Sequence, residues 1–282
     1  MTLSDIRQHE EPTDVSDSVY YVRGFDTFTV PTTGTIIEQA VCKVRNAIMR
    51  GELRPGQKLI EAELCRGLDI SRASLREALR ALEAEKLIDL VPNRGPSVAR
   101  LGYQEVEAIH EVWAMLTGEA VADFTRIAKA KDIAQLEKSL NALKAAIKEN
   151  APLNQLAATN NFFTNIMEKC GNEVLIEVVV SLVSRVNFLR AQALLHQGWG
   201  VLYAEEIEDI VNAIRDTNPD AARNATRKHI ASACAAAKQL SLMPGLASPP
   251  AKPTRATAAK AARAKAAAPA KTGTRRPKAV AA

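Results

Sequence analysis

Residues 71–101, SRASLREALRALEAEKLIDLVPNRGPSVARL, decide how the first half of this chain folds. Ser71 is a good helix N-cap, because its hydroxyl can accept a backbone N–H from the first turn. Leu75, Ala78, Leu79 and Leu82 then recur at helical spacing and define one apolar face. Arg72 and Arg76, four residues apart, share a different face, and Ser74 stands in the first turn. Downstream, LIDLV (87–91) and PSVARL (96–101) are short β-compatible segments around the Gly-containing turn PNRG (92–95), which predicts a hairpin.

Working upstream, Ile36, Ile37, Ala40, Val41, Val44, Ala47 and Ile48 follow Thr35 at helical intervals, and the run stops at Gly51 with Pro55 close behind. ELRPGQKL (52–59) reads as a turn and EAELCRGL (61–68) as a short second helix. Three helices and a hairpin make a winged helix-turn-helix over residues 35–101.

Beyond Gly102 the pattern changes to long amphipathic stretches at roughly 104–129, 132–149, 154–170, 173–197, 202–216 and 219–241. The links KAKD, NAPL, CGNE, HQGWG and TNPD are short and hold Gly, Pro, Asn or Asp. Short links make antiparallel neighbours, so residues 102–243 are expected to form an antiparallel all-α bundle of six to seven helices. The chain as a whole reads as mainly α.

The 282 residues suffice for two cores, and the scarcity of aromatics, 4%, argues against a β-sandwich or barrel. The distribution of the +5 formal charge is more informative than its sum. Residues 35–101 hold 12 Lys or Arg against 9 Asp or Glu, and from Ala247 onward there are 9 basic residues and no acid. The first 34 residues are acidic, lack helical periodicity and read as a flexible arm, with a possible extended piece at VYYVRGF (19–25). Residues 244–282, an Ala/Lys/Pro tail with almost nothing large to bury, are expected to be disordered and to add sequence-independent affinity for phosphates.

Several classes fall away. No apolar run approaches 18 residues and the N-terminus lacks a signal-peptide pattern, so a soluble cytoplasmic protein without a membrane segment is expected. Cys42, Cys65, Cys170 and Cys234 show neither zinc nor disulfide spacing. An enzyme is not expected: there is no GxSxG, no phosphate-binding Gly loop and no paired catalytic Cys and His, and the histidines are only His9, His110, His196 and His229. No cofactor is expected either.

What the pattern does suit is double-stranded DNA. Groove recognition needs donors on the first turn of a helix. Ser71 and Ser74 can bond phosphates, Arg72 and Arg76 can reach guanine edges or phosphates, and Asn93, Arg94 and Gly95 form a small basic wing tip. An Arg-bearing amphipathic helix by itself is most often a solvated surface; the order helix, turn, helix, basic helix, hairpin is what favours DNA.

Residues 36–101 resemble the DNA-binding domain of the GntR family, with its G-x-L-x-P-G-x-x-L turn, S-R-x-x-x-R-E-A-L helix and PNRG wing. The resemblance implies DNA contacts by Ser71, Arg72, Ser74, Arg76 and Gly95 with its neighbours, and a homodimer on a short palindrome. LGYQEVEAIHEVWAMLTGEAVADF (101–124), FFTNIMEKCGNEVL (162–175) and EEIEDIVNAIRDTNPDAARNATRKHI (205–230) are similar to the FCD domain of the FadR branch. Many FCD domains hold a divalent metal through an Asp, a His four residues later and two further His. This chain has Thr159, Phe163 and Ile207 at three of those positions and keeps only His229. One imidazole cannot hold a metal alone, so none is expected. Trp113 stands where many relatives have an Arg. The resulting, more apolar pocket of Trp113, Thr159, Phe163, Ile207 and His229 has two readings: it takes a larger or more hydrophobic effector, or it has filled into core.

The function expected from these residues is a sequence-specific transcriptional regulator, a repressor by preference, that binds a palindromic operator as a homodimer and responds to a small metabolite. The alternative is a nucleoid-type architectural protein dominated by its basic tail, without an effector.

Overall fold

The computed structural model describes residues 34–91, 94–197 and 200–242. The acidic arm, the basic tail and the wing residue Asn93 lie outside the described residues.

Thr35 opens α1 (Ile36–Met49) with a reciprocal cap: the Glu38 N–H donates to Thr35 Oγ1 at 3.2 Å and the Thr35 N–H donates to Glu38 Oε2 at 2.9 Å. Ala40, Val41, Val44, Ala47 and Ile48 are buried, as their spacing predicts. A short helix α2 (Glu61–Leu68) ends on Asp69 in the left-handed conformation. Then comes α3 (Arg72–Ala84), capped by Ser71, whose Oγ accepts the Ser74 N–H at 3.1 Å. Leu75, Ala78, Leu79 and Leu82 are at most 2% exposed. Each leucine contributes about 1.5–3 kcal/mol by leaving water, an upper estimate because the unfolded chain is itself partly collapsed.

The hairpin follows as β1 (Ile88–Val91) and β2 (Gly95–Val98), antiparallel, with Ile88 opposite Val98 and Val91 opposite Gly95. The segment read as a plain turn also joins this sheet. Leu59 N–H donates to Pro96 O at 2.8 Å, Val98 N–H to Gln57 O at 2.9 Å and Gly56 N–H to Val98 O at 2.9 Å. So short a stretch has no alternation of its own to announce a strand, and only the neighbouring backbone reveals the pairing.

Gly56 is demanded twice over. Its φ is +74°, and a Cβ there would lie 1.8 Å from Arg100 Nε, because the Arg100 guanidinium covers this turn and donates to Pro55 O at 3.2 Å.

Six helices complete the described residues: α4 (Tyr103–Ile127), α5 (Ala130–Lys148), α6 (Pro152–Met167), α7 (Glu173–Gln197), α8 (Gly200–Arg215) and α9 (Pro219–Ser241). α4 and α9 form the most extensive helix pair, α5 packs on α6 and α8, α8 packs on α9, and α7 lies against α4, α6 and α9. The architecture is thus the winged helix-turn-helix plus antiparallel bundle. α7 and α9 have the expected bounds, while α6 starts two residues early because Pro152 takes its first position, where a missing N–H costs nothing.

The two parts meet through α7. Glu85, the C-cap of α3, accepts from Arg45 Nε at 3.0 Å, Arg45 Nη2 at 2.5 Å and Ser184 Oγ of α7 at 2.9 Å. Lower on α7, Leu195 Cδ1 closes against Gly51, 3.1 Å from where a Cβ would stand. One continuous apolar cluster runs from α1 into the bundle.

Gly56→Ala is expected to cost about 2 kcal/mol, roughly half from the left-handed backbone and half from displacing the Arg100 hydrogen bond. Gly171→Ala, also at positive φ but with open space around it, is expected to cost only about 1 kcal/mol. Urea unfolding of the two variants measures the difference; equal losses would show that the Arg100 cover contributes nothing.

Candidate nucleic-acid interface and bundle cavity

Burying the leucine face of α3 leaves Arg72, Arg76 and Arg80 exposed at four-residue intervals on its solvent side. Arg80 was missed in the sequence reading, although its spacing from Arg76 is the visible signal. Ser71 and Ser74 stand together, Oγ to Oγ 3.0 Å, so of their two hydroxyl hydrogens one joins the pair and the other is available to an acceptor such as a phosphate. Arg76 is not idle: its Nε donates to Glu61 Oε2 of α2 at 3.3 Å. Both partners are partly exposed, so the pair is weak and an incoming phosphate can replace the carboxylate.

On the hairpin, Arg94 is exposed and its N–H donates to Val91 O at 3.0 Å, closing the turn. Gly95 has φ +75°, a conformation that favours glycine. The exposed Lys58 lies beside it, its Cε 3.9 Å from where a Gly95 Cβ would be. Lys58 is a second basic residue missed in the sequence, since it belongs to a segment read as a turn.

Within the bundle, Trp113, Thr159, Phe163, Ile207 and His229 are all buried, at most 1% exposed. They are not equivalent. Trp113 and His229 border a cavity of about 10 Å³, lined also by His110, Val186 and Arg190, with room for roughly one water. Phe163 stacks on the His229 ring at 6.1 Å, and Tyr203 meets that ring edge-on at 4.6 Å. Thr159 turns its hydroxyl to Gln155 O at 2.9 Å within its own helix, and Ile207 is core. The cavity is therefore small and polar on one side rather than the apolar chamber that the substitutions suggested: Arg190, on α7, restores a cation where Trp113 removed one.

His229 is fixed by Glu206, whose Oε2 lies 3.1 Å from Nδ1, and Ser232 Oγ donates to Glu206 Oε1 at 2.5 Å. Burial pushes the His229 imidazole below its ordinary pKa; the Glu206 hydrogen bond pulls it back and the Arg190 charge lowers it further. Burial opposes ionisation of Glu206, but the hydrogen bonds from His229 and Ser232 prevail and hold it below the usual carboxylate range. Glu206 is thus an ionised acceptor and His229 neutral, with its proton on Nδ1 and its Nε2 lone pair bare.

Residues 36–98 match the model of bacterial regulatory proteins, gntR family, and residues 108–232 match that of the FCD domain. The chain belongs to the gntR family and carries an FCD domain. The galactonate operon transcriptional repressor of Escherichia coli K12 is 26% identical over 231 residues, 72% of this chain and 97% of that protein. An HTH-type transcriptional regulator of the TAR-I ttuE-ttuC' intergenic region of Agrobacterium vitis is 29% identical over 134 residues, 46% of this chain and 78% of that protein. Among solved structures, E. coli McbR/YncC shares the fold with a TM-score of 0.65 at 19% identity, covering 73% of this chain and 99% of that one. As a gntR-family member the chain is a DNA-binding transcriptional regulator. No helix among the described residues is long and apolar enough to cross a membrane.

The FCD domain raises the question of a metal, and the donor set answers it. At the four positions that the resemblance nominates, the Thr159 hydroxyl is committed to backbone, Phe163 and Ile207 offer no donor, and His229 offers one nitrogen. These residues do not fit a divalent metal, and no three His, Cys, Asp or Glu gather to replace them among the described residues. Arg190 and Glu206, which the sequence reading passed over, are the charged groups of this FCD cavity. A usable signal existed for Arg190: it interrupts the apolar α7 sequence with no acidic residue three or four positions away.

Because His110 and His229 are both held below the ordinary histidine pKa by burial, the unfolded chain binds protons that the folded chain refuses. Their contribution to stability is complete above about pH 6.5 and declines as pH falls through the histidine range. Glu206, with its depressed pKa, adds a further loss at lower pH, below the usual carboxylate value. Melting temperature is expected to fall steadily from pH 7 to pH 5, with a shallower slope in His229→Gln; a flat profile over that range would contradict the buried neutral imidazoles.

Proposed function

We propose that this gntR-family regulator represses transcription by binding a palindromic operator as a homodimer, with the start of α3 in the major groove and the hairpin wing along the backbone or minor groove. Residues 35–101 form the reading unit, residues 102–243 the dimerising and effector-sensing unit, and the protein works in the cytoplasm rather than as an enzyme. The observation that carries this reading is the division of α3: leucines inward, Ser71 capping, and Arg72, Arg76 and Arg80 exposed at the end that enters a groove. Ser74 and the wing residues Asn93, Arg94 and Gly95 are the further contacts proposed. The likeness to a galactonate operon repressor over most of both chains supports repression.

The decisive variant is Arg72→Ala with Arg76→Ala. Losing base or phosphate contacts at about 1–3 kcal/mol each predicts at least tenfold weaker operator binding for each single change and more for the pair, with melting temperature and dimer mass unchanged. Gel shift against operator and random duplex, with light scattering, reads this; undiminished operator affinity in a folded dimer would overturn it.

A second reading, architectural binding, is favoured by the 9 basic residues after Ala247. Phosphate contacts by such a tail are sequence-blind and salt-sensitive. Truncation after Leu246 is expected to weaken operator and random DNA alike at low salt, leaving the preference for operator intact. Loss of that preference would move the weight to the architectural reading.

A further inference from the structure

We propose that Arg190 is the resident cation of the FCD cavity, and that it takes a small organic carboxylate directly, with no metal ion. This rests on the reading that the bundle senses a small molecule, and it specifies the chemistry of that site.

Arg190 is 7% exposed, and its guanidinium cannot discharge itself by losing a proton. Its partners are neutral. Nη1 donates to Asn160 Oδ1 and to Asn187 Oδ1, both at 3.1 Å, and the charge lies 5.9 Å from the centre of the Phe163 ring. No carboxylate among the described residues lies within ion-pair distance of it, and its buried Nε has no acceptor. A buried charge is stable only when paired, so this one calls for an anion that the chain does not supply.

The surroundings suit such a ligand. The His229 Nε2 and Asn187 Nδ2 atoms are buried without hydrogen-bond partners, and the first of them lines the same cavity as Arg190. The one nearby acid, Glu206, is already engaged with His229 and Ser232 and so fixes the imidazole with its lone pair toward the cavity. The site therefore offers a cation for a carboxylate and an acceptor for a hydroxyl hydrogen on the same ligand. With a volume of about 10 Å³, the cavity must open to admit even a two-carbon acid, which limits the ligand to small ones. Where other FCD domains are read as placing a metal, this chain has moved the positive charge onto α7, the helix whose Ser184 bonds the C-cap of α3.

The test uses the full-length protein treated with EDTA. Acetate and glycolate are titrated against their neutral amides, and thermal shift is read alongside the emission of Trp113 in a Trp199→Phe background. The acids are expected to raise melting by about 5 °C near saturation and to perturb Trp113, and the amides to do neither. Arg190→Met is expected to melt no lower than the parent and to lose the response. Should that variant fail to fold, Arg190→Lys, which keeps the charge without the planar fork, is expected to bind at least tenfold more weakly. The proposal is overturned if no acid shifts melting, if the response returns only with added zinc, manganese or nickel, if it survives in Arg190→Met, or if Arg190→Lys binds as well as the parent. Operator binding by the same sample reports the regulatory reading separately: a protein that holds its operator but ignores every acid defeats the anion site alone.

Discussion

The leucine seam of α3 is the constraint on which the rest of this structure depends. Leu75, Leu79 and Leu82 can leave water only by facing α1 and the interior, and that single requirement fixes the rotation of the helix about its axis. Once the rotation is set, the arginines have no choice but to point outward, and the Ser71 cap fixes where the helix begins. The interior thus aims the groups that meet DNA, and no basic residue on α3 needs a partner to hold its direction.

Glu85 extends that constraint to the bundle. A carboxylate at the end of α3 that accepts two hydrogen bonds from Arg45 and one from Ser184 ties three helices at one point. It is only partly buried, so it owes its order to the number and geometry of its donors rather than to a low dielectric. Six residues along the same α7 stands Arg190, and beyond it Leu195 rests on Gly51 at the end of α1. Any displacement of α7 that accompanies a change around Arg190 must be accommodated at both of these contacts, because packed helices shift as units.

The FCD cavity shows how a family site can change its chemistry without changing its place. Three ligand positions have become Thr159, Phe163 and Ile207, and each has been absorbed by an ordinary interaction: a bond to the helix backbone, a stack on His229, a place in the core. What remains is a neutral imidazole held by an ionised glutamate beside a guanidinium whose partners are amides. In such surroundings the arginine charge supplies the field that a metal would otherwise provide.

Much of this was legible in the residue order. Helical periodicity, the caps at Thr35 and Ser71 and the Gly and Pro punctuation determined the helices, the hairpin and the exposed arginines, because these are set by interactions within a few residues of one another. The same order determined that the metal donors were absent. Only the tertiary structure decided what replaced them: Arg190 lies far in sequence from Trp113 and His229, and nothing in local spacing says that three helices close around one small cavity. The pairing of Gly56–Leu59 with the wing, the cover of Arg100 over Gly56 and the grip of Glu85 on α7 were likewise decided there, since each joins groups that only folding brings within hydrogen-bond reach.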